Sequence, residues 1–123
     1  MTQSRRRIAT VAAAVLGLVM IGGGGLKVIG ESHQVAAFAS WGLAPWFRAL
    51  VGTFEVLGGM LLAVPATTPV GSLILSTIMV GALWAHAAHG EWGQLVPPVV
   101  LLTVFLAIFR SNRSRAMQLL GGA

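Results

Sequence analysis

The chain has 123 residues, of which 56% are apolar and only 9% charged, with a formal net charge of +5. Soluble domains carry about 25% charged residues, so these few charges could not cover a globular surface in water. The mean hydropathy of +0.85 agrees with this conclusion. Because the sequence has no cysteine, disulfides, iron–sulfur clusters and cysteine-ligated zinc are excluded. The composition predicts a membrane protein with a single domain, residues 1–123.

The first apolar run covers residues 8–29 and follows three consecutive arginines, Arg5, Arg6 and Arg7. As a helix, a run of this length spans about 33 Å, which is enough to cross a bilayer core of about 30 Å. A secretory signal peptide is the alternative, but the nearest small-x-small cleavage pattern, at residues 37–39, lies beyond the usual signal length. The run therefore predicts a first membrane-spanning helix.

The segment at residues 30–45 is too polar and too short to span a membrane. Val35, Phe38 and Trp41 recur at three-residue spacing, so one face of a short helix there would be apolar. Such a helix is suited to lie in the membrane interface between the first two spans. An irregular loop is the alternative interpretation.

Three further apolar runs cover residues 46–64, 70–88 and 95–109. The prolines within residues 65–69 predict a turn between the second and third runs. The Pro-Pro pair at 97–98 falls in the first helical turn of the fourth run, where proline is tolerated. Four spans joined by short loops predict an all-α integral membrane protein, an antiparallel four-helix bundle.

Positive charge is concentrated at the two ends of the chain, where six of its eight basic residues lie. Because cytoplasmic segments carry excess lysine and arginine, this pattern predicts a multi-pass cell-membrane protein with both termini in the cytoplasm and a basic cytoplasmic tail at 110–123. The tryptophans then lie at the outer interface, as an aromatic belt. Nucleic-acid binding is not expected, because no basic stripe is interleaved with aromatic residues. The terminal basic residues are Arg5, Arg6, Arg7, Arg110, Arg113 and Arg115, and the tryptophans are Trp41, Trp46, Trp84 and Trp92.

An acidic residue, Glu55, interrupts the second span close to its predicted midplane, nine residues after Trp46. A charged group inside a membrane costs about 2.5–3.5 kcal/mol on insertion, so Glu55 needs a partner. Lys27 lies near the outer end of the first span, and because side chains lean toward their own helix N-terminus, the two lean toward each other. Glu31, four residues after Lys27, is a competing partner. The pair is either a structural strut or a site at which Glu55 exchanges a proton or meets a ligand.

Glycines surround these charges on both helices and predict close packing, because small residues let two backbones approach. Arg48 lies on the same face of the second span as Glu55 and joins Lys27 and Glu55 among the candidate ligand-binding residues. The predicted packing residues are Gly24, Gly52, Gly58 and Gly59.

Two histidines, His86 and His89, share one face near the outer end of the third span. We expect His86 to line an outward-facing cavity together with Glu55 and Lys27. The His-x-x-His pair is a weak candidate for metal or haem ligation, because two histidines are half a site and no third ligand is spaced to match. No metal is therefore expected, and hydrogen bonding at the interface is the commoner use of such residues.

Four segments together resemble the DoxX-like family of small membrane proteins. Residues 24–27 resemble its G-x-x-K element, and residues 38–45 resemble the F…G-L-x-P element that follows. Residues 52–59 resemble its G-x-x-E-x-x-G-G element, the most specific of the four. Residues 79–82 with His86 resemble its third-helix pattern. The resemblance implies a four-helix fold and an association with membrane redox systems.

The leading hypothesis is an accessory or ligand-binding subunit of a quinone-linked membrane redox system. A quinone or another lipophilic molecule would enter from the bilayer, Glu55 would exchange a proton, Lys27 would balance its charge and His86 would bond a ligand oxygen. Redox partner proteins are then expected, whereas catalysis by this chain alone is not. One alternative is a structural protein that forms homo-oligomers through glycine faces without chemistry, and another is a small transporter.

Overall fold

The computed structural model describes residues 3–112, and its long elements are all α-helices. Short 3₁₀ turns, Pro65–Thr67 and Trp92–Leu95, join the last three helices. Four segments are long and apolar enough to cross a membrane, which agrees with the predicted all-α membrane bundle. These segments are Gln3–Ile29, Pro45–Ala63, Pro65–Ala88 and Trp92–Ser111. The helices are α1 (Gln3–Ile29), α2 (Ser32–Ser40), α3 (Pro45–Ala63), α4 (Thr68–Ala88) and α5 (Val96–Ser111).

The ends of the helices follow from local sequence. Proline occupies the first turn of α3, α4 and α5, where a missing N–H costs nothing. The segment after α1 is a helix rather than a loop, and the side chain of Glu31 caps it by accepting a hydrogen bond from the Gln34 amide at 3.3 Å. Arg113 and Arg115, with most of the predicted tail 110–123, lie outside the described residues.

The tight turn between α3 and α4 is held by two threonine hydroxyls. Thr67 donates to the Leu61 carbonyl at 2.8 Å, and Thr68 donates to the Leu62 carbonyl at 2.9 Å. The last carbonyls of a helix have no partner within the helix, so in a membrane they need donors from side chains. The turn therefore reverses the chain without leaving these polar groups unsatisfied.

The helices pack in chain order, α1 against α3, α3 against α4 and α4 against α5, while α2 lies across α1 and α3. Leu62, Leu75 and Phe105 are completely buried in the core that these helices enclose. Large apolar side chains such as Leu18 and Val80 instead face outward. A water-soluble bundle places its apolar face inside, so this outward apolar surface suits a lipid environment.

The closest contact in the bundle joins α1 and α3 through glycine. A Cβ atom on Gly17 would lie 2.5 Å from the Gly59 carbonyl oxygen, and one on Gly24 would lie 2.6 Å from that of Gly52. The two pairs are seven residues apart on each helix, so the backbones touch at successive positions along one antiparallel seam. Gly58 faces the other way and contacts Leu75 of α4.

Candidate functional site

We call the end of the bundle that carries α2 the α2 end, and the end where α1 begins the N-terminal end. The glycine seam places Lys27 level with residue 49 of α3, six residues from Glu55 or about 9 Å along the helix axis. Side chains lean toward their own helix N-terminus, so Lys27 leans toward the N-terminal end and Glu55 toward the α2 end. Together they close this gap, and Lys27 Nζ lies 3.1 Å from Glu55 Oε2.

The pair is buried unequally. The Glu55 side chain is 4% exposed, whereas that of Lys27 is 18% exposed. Within residues 3–112, Lys27 is the only hydrogen-bond partner of the Glu55 side chain. Glu55 follows the first residue of α3 by ten positions, or about 15 Å, which is half the thickness of a bilayer core. A carboxyl group at this depth can be tolerated because a cationic side chain reaches it.

Gly23 has no side chain, and the Glu55 carboxyl group occupies the space beside it. A Cβ atom on Gly23 would lie 3.1 Å from Glu55 Oε2, closer than a methyl group normally approaches an oxygen. The neighbouring Gly22 and Gly25 would meet nothing within 4 Å. Of the four consecutive glycines, therefore, one contacts the α3 backbone and one accommodates the buried acid.

Arg48 bonds to the backbone beside Lys27 rather than to a side chain. Its Nε atom donates to the Lys27 carbonyl oxygen at 3.0 Å, at the C-terminus of α1. A cation there satisfies a carbonyl that has no helical partner and opposes the negative end of the helix dipole. The Arg48 guanidinium also lies beside Gly30, whose φ of +77° ends α1 in the left-handed conformation. Arg48 thereby fixes the helix turn from which Lys27 projects.

The competing acid, Glu31, is engaged elsewhere. Its carboxylate lies 2.7 Å from His33 Nδ1 and accepts hydrogen bonds from Ser32 and from the backbone of α2. The hydrogen bond with His33 is the main reason that the pKa of Glu31 falls to about 2. Glu31 thus caps helix α2, and Lys27 forms its ion pair with Glu55 instead.

The structure places His86 in a separate group of side chains, which we call the Glu91 cluster and define as Trp41, His86 and Glu91. Glu91 Oε1 accepts a hydrogen bond from Trp41 Nε1 at 2.9 Å and lies 2.9 Å from His86 Nδ1. The Trp41 and His86 rings meet edge to face at 5.1 Å. The bond from Trp41, followed by that from His86, lowers the pKa of Glu91.

The expected meeting of His86 with Lys27 and Glu55 is absent among the hydrogen bonds of the described residues. The chain reverses after α4 at Gly90, which has a φ of +70°, and the Glu91 amide donates to the His86 carbonyl at 2.8 Å. This reversal brings the Glu91 carboxylate back over the last turn of α4. The glycine followed by glutamate was the available sequence signal, but the contact with Trp41, 50 residues away, had none.

His89 bonds within its own helix, since its Nδ1 atom donates to the Ala85 carbonyl at 2.7 Å. Across residues 3–112, no three histidine, cysteine or acidic side chains are grouped so that they could hold a metal ion. A prominent cavity, of about 690 Å³, lies at the N-terminal end of the bundle rather than beside Lys27 and Glu55.

Comparison with protein families gives a match over most of the chain. The model of the DoxX-like family matches residues 8–108, well over half of the chain. Searches of curated proteins and of solved structures find no match. The matched range includes Lys27 and Glu55, the glycine seam and the Glu91 cluster.

Proposed function

This chain belongs to the DoxX-like family of membrane proteins, and from that premise we propose that it is an accessory, ligand-binding subunit of a quinone-linked membrane redox system. The observation that carries the proposal is the buried pair of Lys27 and Glu55, 3.1 Å apart. Intramembrane ionisable groups are expensive and commonly mark proton or ligand pathways. The pair therefore supplies the polar chemistry that a lipophilic ligand would meet.

The chemistry of a quinone suits such a pair. Reduction of a quinone to a quinol takes up two electrons and two protons at its carbonyl oxygens. Glu55 would exchange one of these protons at one ligand oxygen, while Lys27 would balance the charge that the carboxylate gains or loses. The second proton would be exchanged at the other ligand oxygen with the redox partner protein. The electrons would come from a redox partner protein, so this chain binds and exchanges protons without catalysing the transfer alone.

The other candidate residues take supporting roles in this proposal. Arg48 holds the last turn of α1, from which Lys27 projects. His86 belongs to the Glu91 cluster, which joins the end of α2 to the end of α4. Their contribution would be to keep the α2 end of the bundle closed around Lys27 and Glu55, rather than to touch the ligand.

The proposal is tested by the wild type, Glu55→Gln and Glu91→Gln, purified in parallel. Each protein is extracted with organic solvent for mass spectrometry, and its affinity for a short-chain ubiquinone is measured by titration. We expect a lipophile to be extracted from the wild type and from Glu91→Gln. Glu55→Gln should bind the quinone about tenfold more weakly, a loss of about 1.4 kcal/mol. If no lipophile is extracted and the three affinities are equal, the proposal fails.

A structural role is the second candidate, and the glycine seam favours it. The α1–α3 contact is close enough that the ion pair could serve only to hold the two helices in register. Glu55→Gln would then lower the melting temperature without changing the affinity for quinone. The seam glycines contact one another within the chain, so a homo-oligomer would form through other surfaces.

A further inference from the structure

A cleft of about 690 Å³ opens between α1 and α5 at the N-terminal end of the bundle. We call this cavity the terminal cleft. In the described part of the chain, α1 packs mainly on α3, and α5 packs mainly on α4, so these two outermost helices face each other across the cleft. Pro65 and Thr68, at the turn between α3 and α4, line it as well. Its volume lies within the range of about 300–1,000 Å³ typical of small-molecule sites.

The walls of the terminal cleft combine small apolar side chains with Thr10 and Thr103, and its mouth is polar. Ala9 and Ala13 line it on α1, and Ala107 and Ile108 line it on α5. Small side chains on both helices leave the space between them unfilled. Arg6 lines the same cleft one turn before Ala9 and lies on the exposed surface. A polar, cationic mouth above a mainly apolar wall suits an amphiphile that has an anionic headgroup.

The acidic side chains of the chain are engaged away from the terminal cleft. The sequence contains three acidic side chains, Glu31, Glu55 and Glu91. Glu31 and Glu91 lie at the α2 end, and Glu55 is paired with Lys27 deep in the bundle. Among residues 3–112, no acidic side chain lies within ion-pair distance of Arg6, the arginine that lines the terminal cleft. An anionic headgroup would complement its charge.

We propose that the terminal cleft binds one anionic phospholipid. The phosphate would accept hydrogen bonds from the Arg6 guanidinium and from the Ser111 hydroxyl, both of which line the cleft. One hydrocarbon chain would lie along the alanine wall between α1 and α5. A second copy of this chain is a poor occupant, because two copies in one membrane orientation would bring arginine against arginine. This site is separate from Lys27 and Glu55 and does not depend on the proposed function.

The test is native mass spectrometry of the full chain with equal amounts of dioleoyl phosphatidylglycerol and dioleoyl phosphatidylcholine. We expect the wild type to retain the anionic lipid preferentially. Arg6→Gln should lower this preference about fivefold, as expected for one arginine near a lipid headgroup. Arg7→Gln removes the same charge but does not line the terminal cleft, so it should keep the preference.

A second pair of variants tests the apolar wall. Ala107→Leu fills the cleft and should reduce retention of both lipids, whereas Ala12→Leu, on the exposed side of α1 outside the cleft, should not. Glycerol 1-phosphate is added as a competitor to separate a lipid site from a site for free phosphate. Equal effects of Arg6→Gln and Arg7→Gln would overturn the proposal, because surface charge alone would then explain retention. Full displacement by glycerol 1-phosphate would also overturn it.

Discussion

At the scale of residues, Lys27 and Glu55 depend on each other unequally. The lysine is more exposed, and its long aliphatic stem lets the ammonium group move toward the α2 end if the carboxylate is removed. Glu55 is almost fully buried and has no other hydrogen-bond donor among the described residues. Loss of the partner should therefore destabilise the protein more when Glu55 is left unpaired than when Lys27 is left unpaired.

This asymmetry predicts the outcome of a double-mutant cycle. Lys27→Met should lower the free energy of unfolding by about 3 kcal/mol, because it leaves a buried carboxyl group without a partner. Glu55→Leu should cost less, since Lys27 can then reach a more polar environment. The double variant should recover most of the loss, as replacing both members of a buried pair often does. Thermal unfolding in detergent measures all four proteins, and simple additivity of the two single losses would contradict the prediction.

At the scale of elements, the glycine seam decides how α1 and α3 are aligned. Gly17 opposite Gly59 and Gly24 opposite Gly52 fix both the distance between the helices and their register. The register in turn brings Lys27 and Glu55 within reach of each other. The packing of the two helix backbones thus helps to position the polar pair.

Adjacent glycines on α1 provide a matched test of the seam. Gly24→Ala would place a methyl carbon 2.6 Å from the Gly52 carbonyl oxygen, and overpacking of this kind costs about 1–3 kcal/mol. Gly25→Ala makes the same chemical change where nothing lies within 4 Å. We expect Gly24→Ala to lower the melting temperature and Gly25→Ala to leave it unchanged or raise it, because alanine favours helix more than glycine does. Equal effects in the two variants would exclude the seam as the cause.

The element α2 is capped at its N-terminus and is bonded to the rest of the bundle at its C-terminus. Glu31 caps its N-terminus, and Trp41, at its C-terminus, donates to Glu91 beyond α4. Phe38, which packs on Trp41 with ring centroids 5.2 Å apart, is the buried residue of this helix. The short apolar face that the sequence contains is therefore turned partly into the bundle, and the bond from Trp41 to Glu91 holds the C-terminal end of α2 there.

At the scale of the whole molecule, the two ends of the bundle differ in chemistry. Arginines lie where α1 begins and where α5 ends. The exposed tryptophans lie toward the other end, Trp46 at the start of α3, Trp84 in the last turns of α4 and Trp92 just beyond it, each between 65% and 69% exposed. From the positive-inside rule, we expect the arginine end to face the cytoplasm and the tryptophans to lie at the outer interface.

Single-cysteine labelling tests this orientation cleanly, because the chain has no cysteine of its own. Ser4→Cys lies at the N-terminal end and Ser40→Cys at the α2 end, and both positions are exposed. In intact cells, a membrane-impermeant maleimide should label Ser40→Cys and should label Ser4→Cys only after permeabilisation. The reverse pattern would show that the chain inserts with its arginines outside.

The number, type and approximate limits of the spanning helices were determined by the sequence itself. Hydropathy, proline position and glycine reversal act within a few residues, so they are visible along the chain. The positions of Lys27 and Glu55 along their helices also followed, because helical rise converts residue number into depth. The family was identifiable from the glycine and glutamate pattern of residues 52–59.

The partners of each polar side chain were decided by the tertiary structure. Lys27 had two candidate acidic partners, Glu31 and Glu55. In the structure Glu31 caps α2, and Lys27 forms its ion pair with Glu55. His86 was expected near Glu55, yet it lies beside Glu91. The sequence could not show this, because the depth of a residue along a helix does not give the direction in which its side chain points around the axis. That direction depends on how neighbouring helices are rotated, and the rotation is set where their backbones touch.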